Sequence, residues 1–432
     1  MKEIKVGIIG FGTVGSGTAE ILVKQADLLR QRTGLRITLA RVADRSADSL
    51  PPEFDCCAFS NDADDVINDP DIDIVAELIG GLEPARDFVL RAIASGKHIV
   101  TANKALLSLH GSQIFQAAAA AGVEVGFEAS VAGGIPVIKA LKEGLAANRI
   151  NVIMGILNGT ANYILSRMTD EGLPFATVLA DAQARGYAEA DPSYDVDGID
   201  TAHKLVILMA IAYGINISLA DVIIEGISRI EPIDIAYAKQ FGCRIKLLAI
   251  SKNYGDHVEA RVHPTMVPEE HMLASVNGAY NAVYFNGDMA GNVMLYGRGA
   301  GGLPTGSAVV ADIIDTARNI AAGCPNRVPG LSFKRDDIVD CLITPMAQLT
   351  GAYYFRMSVH DEPGVLAEIA GILGENGISI ESVIQKKRQE SGPVPVVIRT
   401  HAAVEEAVNL ALGEIDSRDF CTSKTVKIRI LA

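Results

Sequence analysis

Between Gly186 and Ala210 the chain reads GYAEADPSYDVDGIDTAHKLVILMA. Five carboxylates, Glu189, Asp191, Asp195, Asp197 and Asp200, precede a single lysine, Lys204. If a helix begins near Gly198, Asp200 and Lys204 lie four apart and share a face. Exposed, such a pair contributes only about a few tenths of a kcal/mol. Lys204, however, directly precedes the most apolar segment of the chain, which predicts a buried stem. Crowded acids also cost free energy unless a cation or an ammonium group balances them. A lysine between acids and an apolar wall suits proton donation to a carbonyl oxygen. The acids around it suit a substrate that carries an ammonium group.

A second motif lies at the start of the chain. Gly10-Phe11-Gly12-Thr13-Val14-Gly15 is G-x-G-x-x-G, placed after a strand-like run and before a helical one. That context is what a dinucleotide loop requires. Gly10 permits the tight turn, Gly12 lets backbone approach a pyrophosphate, and Gly15 allows close packing of helix on strand. The helix start adds free N–H groups and the positive end of a dipole. The second strand ends in Asp44-Arg45, with Arg41 nearby. An acid there suits the ribose 2′-hydroxyl of NAD, and an arginine suits the 2′-phosphate of NADP. Both types are present, so either cofactor fits.

These residues need elements to hold them. IKVGIIG, RITLARVAD, IDIVAELIG and HIVTAN read as strands, and a helix is expected from about Val14 to Gln31. EPARDFVLRAIASGK is helical and stops at Gly96, and VEVGFEASVAGG is a further strand. Strand–helix alternation predicts a doubly wound parallel sheet over 1–130, a Rossmann-type α/β domain. PVIKALKEGLAAN then reads as a helix, whereas RINVIMGILNG, RIKLLAIS and HVEARVHPTMV read as strands, the last two half-buried and antiparallel. Residues 131–320 therefore read as a separate α+β layer, a substrate and dimerisation domain only by what the resemblance given below implies, and it ends in the glycine-rich helix start at Gly302. A proline- and glycine-containing connector covers 321–349. Residues 350–432 give the order βαββαβ of a ferredoxin-like module.

With 432 residues, 21% charged and 49% hydrophobic, the composition is that of a multidomain globular protein. The formal net charge of −14 repels phosphate backbones and argues against nucleic acid as a partner. The six cysteines form no C-x-x-C pair, which suits free thiols in a cytoplasm better than a disulfide framework. The N-terminus has no signal-peptide pattern. The longest apolar run, Leu205–Ile215, is too short to span a membrane.

The stretches GFGTVG, TANKALL, FEASVAGGIPVI, ILNGTANYIL, GYAEADPSYDVDGIDTAHK and GRGAGGLPTGSAVVAD together resemble the homoserine dehydrogenases over roughly residues 5–320. DEPGVLAEIAGILGENGISI in the tail resembles an ACT domain. The resemblance implies reversible conversion of L-homoserine to L-aspartate 4-semialdehyde with NAD or NADP, in threonine and methionine biosynthesis. It implies Lys204 as the acid/base, with Asp200 orienting it and Lys104 near nicotinamide and substrate. Glu189, Asp195 and Asp200 are implied as substrate contacts. Gly10, Phe11, Gly12, Thr13, Val14, Gly15, Arg45, Lys104, Gly186 and Gly302 are implied as cofactor contacts. Glu128 with Val131, Gly133 and Ile135 matches a monovalent-cation (sodium) site, and an acid beside a glycine-rich turn offers oxygens that hard cations prefer. The ACT resemblance implies an amino-acid effector such as threonine, and a homodimer or homotetramer. Two other readings compete: another amino-acid oxidoreductase, such as an aspartate dehydrogenase, and a non-catalytic amino-acid sensor. The acidic segment and NGTANYIL favour homoserine.

Overall fold

The run Glu3–Ile9 is β1 of a six-stranded sheet, and its apolar side chains are buried on both faces, as expected of a central parallel strand. The other strands are β2 (Arg36–Ala43), β3 (Ala58–Ser60), β4 (Ile74–Glu77), β5 (His98–Thr101) and β6 (Val125–Gly126). All pairs are parallel, in the order β3-β2-β1-β4-β5-β6. The order reverses between β1 and β4, so the carboxyl ends of these two strands flank a crevice. The structure is a computed structural model that describes residues 1–385 and 392–431.

The helix expected over Val14–Gln31 is two helices, Thr13–Lys24 and Ala26–Thr33, broken at Gln25. VEVGFEASVAGG contributes only a two-residue strand before it turns into the short helical turn Glu128–Ser130. PVIKALKEGLAAN begins as helix Val137–Lys139 and widens into a π-helical turn, Ala140–Gly144.

The helix Gly302–Ala322, which lies within 131–320, packs on the dinucleotide sheet. Its Ala308, Val309, Val310, Ile313 and Ala317 share a core with Ile4, Val6 and Ile8 of β1. The helix crosses Thr13–Lys24 where glycines permit contact. A Cβ on Gly17 would stand 2.4 Å from the Gly302 oxygen, and one on Gly306 would stand 2.8 Å from Gly17. The chain thus returns from the middle region to complete the dinucleotide unit.

Among the described residues the second sheet has twelve strands. Cys243–Asn253 pairs antiparallel with His257–Pro268 and with Ile150–Ile156, which pairs in turn with Tyr280–Gly287. The helix Ile199–Tyr213 packs beneath these strands in the largest core. Strands Cys421–Ile430, Thr350–Val359, Val394–Thr400 and Ile380–Gln385 form the sheet of the tail in that spatial order. It is not a separate sheet: His257–Pro268 pairs parallel with Cys421–Ile430 through Thr265↔Arg429 and Met266↔Ile430. Among the described residues, no helix is long and apolar enough to cross a membrane.

Candidate active site

The glycine loop closes over the β1–β4 crevice. Gly10 has φ +100, and a Cβ there would meet the Leu78 carbonyl at 2.8 Å, so a side chain is barred twice. A Cβ on Gly15 would stand 1.9 Å from the Gly10 oxygen. Gly12, by contrast, has nothing within 4 Å of that position, and this is the open side where backbone can approach a pyrophosphate. The amides of Thr13 and Val14 open the helix and have no intrahelical acceptor. The residues therefore fit a dinucleotide. Gly302 lies against the loop, since a Cβ on it would stand 2.9 Å from the Thr13 oxygen. Asp44 does not face outward. Its carboxylate accepts from the amides of Phe11 (2.6 Å), Ser46 (2.7 Å) and Ala47 (3.1 Å). Arg45 beside it is exposed.

Two helices bring the lysines together. Asn103 caps Lys104–Ala121, accepting from the Leu106 amide at 3.1 Å, and so sets Lys104 at the helix start after β5. Ile199–Tyr213 starts at Gly198, whose φ of +86 turns the chain from the acidic loop into the helix. Asp200 is 3% exposed and Lys204 7%. Lys204 Nζ donates to Asp200 Oδ2 at 2.6 Å and to the Leu157 carbonyl at 2.7 Å. Lys104 Nζ stands 3.0 Å from the other oxygen, Asp200 Oδ1. Asn158 Nδ2 donates to Asp200 Oδ2 (2.9 Å) and Asp195 Oδ1 (2.7 Å), and its Oδ1 caps helix Gly159–Glu171.

The charges are set by this geometry. Burial drives the Asp200 carboxyl upward, but the Lys204 and Lys104 charges, with hydrogen bonds from Lys204 and Asn158, hold it well below the usual carboxylate range. Burial pushes the Lys204 ammonium below the usual lysine range, and Asp200 opposes this without overcoming it. For Lys104 the balance reverses: burial pulls it down, and the charge and hydrogen bond of Asp200 carry it above that range. Burial raises Asp195, against the hydrogen bond from Asn158. The cluster thus shifts its two lysines in opposite directions, Lys204 down and Lys104 up.

Not every expected residue joins the cluster. Glu189 is exposed, and among the described residues no ion pair engages it; Gln183 Nε2 holds its backbone oxygen at 3.0 Å. Gly186 is exposed on the same loop at φ +74.

The cation motif sits apart, beneath helix Gly302–Ala322. Ala132 and Gly133 take φ +57 and +50 in succession, which turns neighbouring carbonyls in different directions. Val131, Gly133 and Ile135 are buried, and no hydrogen bond is recorded to the carbonyls of Val131 and Gly133 among the described residues. The Ile135 carbonyl accepts from Val137 at 2.7 Å. Both Glu128 oxygens accept backbone amides, from Ile138 and Lys139 at 2.8 Å. Asp312 lies against the same turn and accepts from the Glu128 amide at 2.7 Å. Burial and then the Glu128 charge push it up to about 8. Two carbonyls without a hydrogen-bond partner among the described residues thus lie beside two acids, an oxygen-rich turn of the kind a hard cation takes.

Sequence reasoning missed Asn158 and Asp312. Asn158 alone carried a signal, since an asparagine between a strand run and Gly-Thr-Ala is an N-cap pattern.

Residues 136–314 match the family model described as homoserine dehydrogenase. Residues 10–128 match the homoserine dehydrogenase NAD binding domain, and 353–417 match the ACT domain. The chain is 48% identical to a homoserine dehydrogenase of Pseudomonas aeruginosa, over 100% of this chain and 99% of that one. It is 46% identical to one of Neisseria gonorrhoeae, over 99% and 98%. The crystal structure of a homoserine dehydrogenase from Thiobacillus denitrificans superposes with a TM-score of 0.94 at 48% identity, covering 100% of this chain and 99% of that one.

Proposed function

Since the chain belongs to the homoserine dehydrogenase family, NAD(P)-dependent enzymes that interconvert L-homoserine and L-aspartate 4-semialdehyde, we propose how its own residues divide that work. The observation that carries the proposal is the Asp200 carboxylate clasped between Lys204 and Lys104. The nicotinamide cofactor, when bound, supplies or accepts the hydride at the substrate carbon. In reduction, Lys204 Nζ gives a proton to the substrate oxygen as that oxygen gains charge. In oxidation, neutral Lys204 takes the hydroxyl proton, and its lowered proton affinity keeps that form within reach. Lys104 stays cationic and stabilises negative charge on the substrate oxygen. Asp195, held by Asn158, receives the substrate ammonium group. Glu189 is assigned to substrate and Gly186 to cofactor on the motif alone.

The cofactor is proposed to be NADP(H). Three backbone amides occupy Asp44, and exposed Arg45 is left beside the site of the 2′-phosphate. Replacing Arg45 by alanine is expected to raise KM for NADPH about tenfold, the loss of one charge-assisted hydrogen bond, with kcat unchanged. Equal changes for NADPH and NADH would count against the assignment.

The tail is proposed to bind an amino acid. A cavity of about 450 Å³ opens over the turn Asp361–Gly364, with acids and the start of helix Val365–Glu375 at its rim. The tail also touches the segment that backs the acidic loop. Arg429 grips Glu225 with two bonds of 2.9 Å, and Gly226 and Ile227 lie on Val196 and Asp197, beside Asp195. Sodium at Glu128, Val131, Gly133 and Ile135, a homodimer or homotetramer, and a cytoplasmic setting that suits six free thiols complete the proposal.

The test is NADPH oxidation with L-aspartate 4-semialdehyde, with and without sodium and L-threonine, on protein whose mass is read by sedimentation. Threonine inhibition, activation by sodium over choline, and twice or four times the chain mass are expected. Indifference to threonine removes the effector reading, indifference to sodium the cation, and a monomer the assembly.

A further inference from the structure

One turn below Lys104 and Asp200 lies a second contact between the same two helices. Ser108 follows Lys104 by four residues, and His203 directly precedes Lys204. His203 Nδ1 and Ser108 Oγ are hydrogen-bonded, with the residues 4% and 9% exposed. The Ser108 hydroxyl has a single proton, and the Ala105 carbonyl stands ready for it at 3.1 Å. With the proton there, the imidazole Nδ1–H donates to Ser108 Oγ. The other side of the ring is covered by Tyr194, stacked at 5.7 Å and 26°. Lys104 Nζ lies 5.7 Å from the centre of that same tyrosine ring.

The two helices belong to different units. Lys104–Ala121 follows β5 of the dinucleotide sheet, whereas Ile199–Tyr213 is the core helix of the substrate unit. The Lys104–Asp200 contact therefore depends on how these helices are held in register. We infer that Ser108 and His203 are a positioning pair for the known reaction, locking that register so that Lys104 stays on Asp200. This rests on the reading of Lys204 as the acid/base.

The consequence for Lys204 follows from the groups that face it. These are Asp200 on its own helix, Lys104 from the neighbouring helix and Asp195 from the turn Ser193–Val196, with the Leu157 carbonyl at the strand end. Burial disfavours a charge on His203 itself. If the pin is lost and Lys104 withdraws, Lys204 loses a repelling cation and gains the undivided charge of Asp200. Both changes strengthen its hold on the proton. Neutral Lys204, the form required for oxidation, then appears only at higher pH.

The experiment measures homoserine oxidation against pH for wild type, Ser108→Ala, His203→Phe, their combination and His203→Asn. Phenylalanine keeps the ring on Tyr194 and removes the hydrogen bond. Asparagine keeps an N–H near the former Nδ1. In Ser108→Ala and His203→Phe, kcat at neutral pH should fall about tenfold. The ascending limb should move up by roughly half to one pH unit. The double variant should be no worse than either single one, and His203→Asn should restore the limb. A fall in kcat with the limb unmoved, or additive losses, would overturn the inference. A Lys204→Ala enzyme that keeps the same limb would overturn the acid/base reading instead.

Discussion

Replacing Lys204 by alanine is expected to lower kcat about 10²–10⁴-fold while NADPH still binds, the usual cost of losing a general acid/base. The loss should fall on kcat more than on KM, because the proton moves only as the transition state forms. Asp200 then keeps one cation, Lys104, at 3.0 Å, so the fold should survive the change. The pH profile gives the sharper readout. Lys204 is lowered from its ordinary value, so in oxidation the wild-type rate climbs with pH as the lysine deprotonates and levels off above its pKa. In reduction the rate falls over the same interval. Both limbs should vanish in the variant. A variant within about threefold of wild type would remove Lys204 from the chemistry.

The second large effect concerns stability. Arg429 is 8% exposed and Glu405 is 1%. The arginine donates to Glu405 at 2.6 and 3.0 Å and to Glu225 at 2.9 Å twice. Arg429→Met is expected to cost about 3 kcal/mol at neutral pH, because it leaves a buried carboxylate short of its strongest partner. Lys427 and the Tyr353 hydroxyl remain on Glu405, which keeps the cost at the low end. The sign with pH follows from Glu405. Burial would raise it, but the hydrogen bonds and charges of Arg429 and Lys427 lower it to about 2. A depressed carboxyl contributes stability above its unfolded pKa, near 4.3, and loses it as pH falls through the folded value. The difference between wild type and variant in urea unfolding should therefore be full at pH 7 and shrink from about pH 4.5 towards pH 2. A difference independent of pH would mean that packing of the arginine stem, not the ion pair, supplies the stability.

Local features were readable because their physics is local. The Gly10–Gly15 loop is fixed by sterics within a few residues, and all three glycines stand as their spacing required. The Asp200–Lys204 pair follows from one helical turn, and the ACT order from alternating runs and turns. The expected Val14–Gln31 helix failed at Gln25 because apolar spacing continues through a break that carries no glycine or proline. That helix Gly302–Ala322 packs on the dinucleotide core was not legible, because amphipathicity tells that a face is buried, not against what.

By itself, then, the sequence determined the fold class, the dinucleotide loop and one lysine–acid pair beside a buried helix. Tertiary structure decided which charges meet. Lys104 reaches Asp200 from another unit, His203 meets Ser108 across 95 positions, and Arg429 meets Glu225 across 204. It also decided the sign of the Lys204 shift. Burial and a neighbouring acid pull that lysine in opposite directions, and only the buried geometry, with Lys104 sharing Asp200, lets burial prevail. Periodicity fixes each residue's face within its own element. Contacts between distant elements depend on how the faces pack, which no single stretch of chain contains.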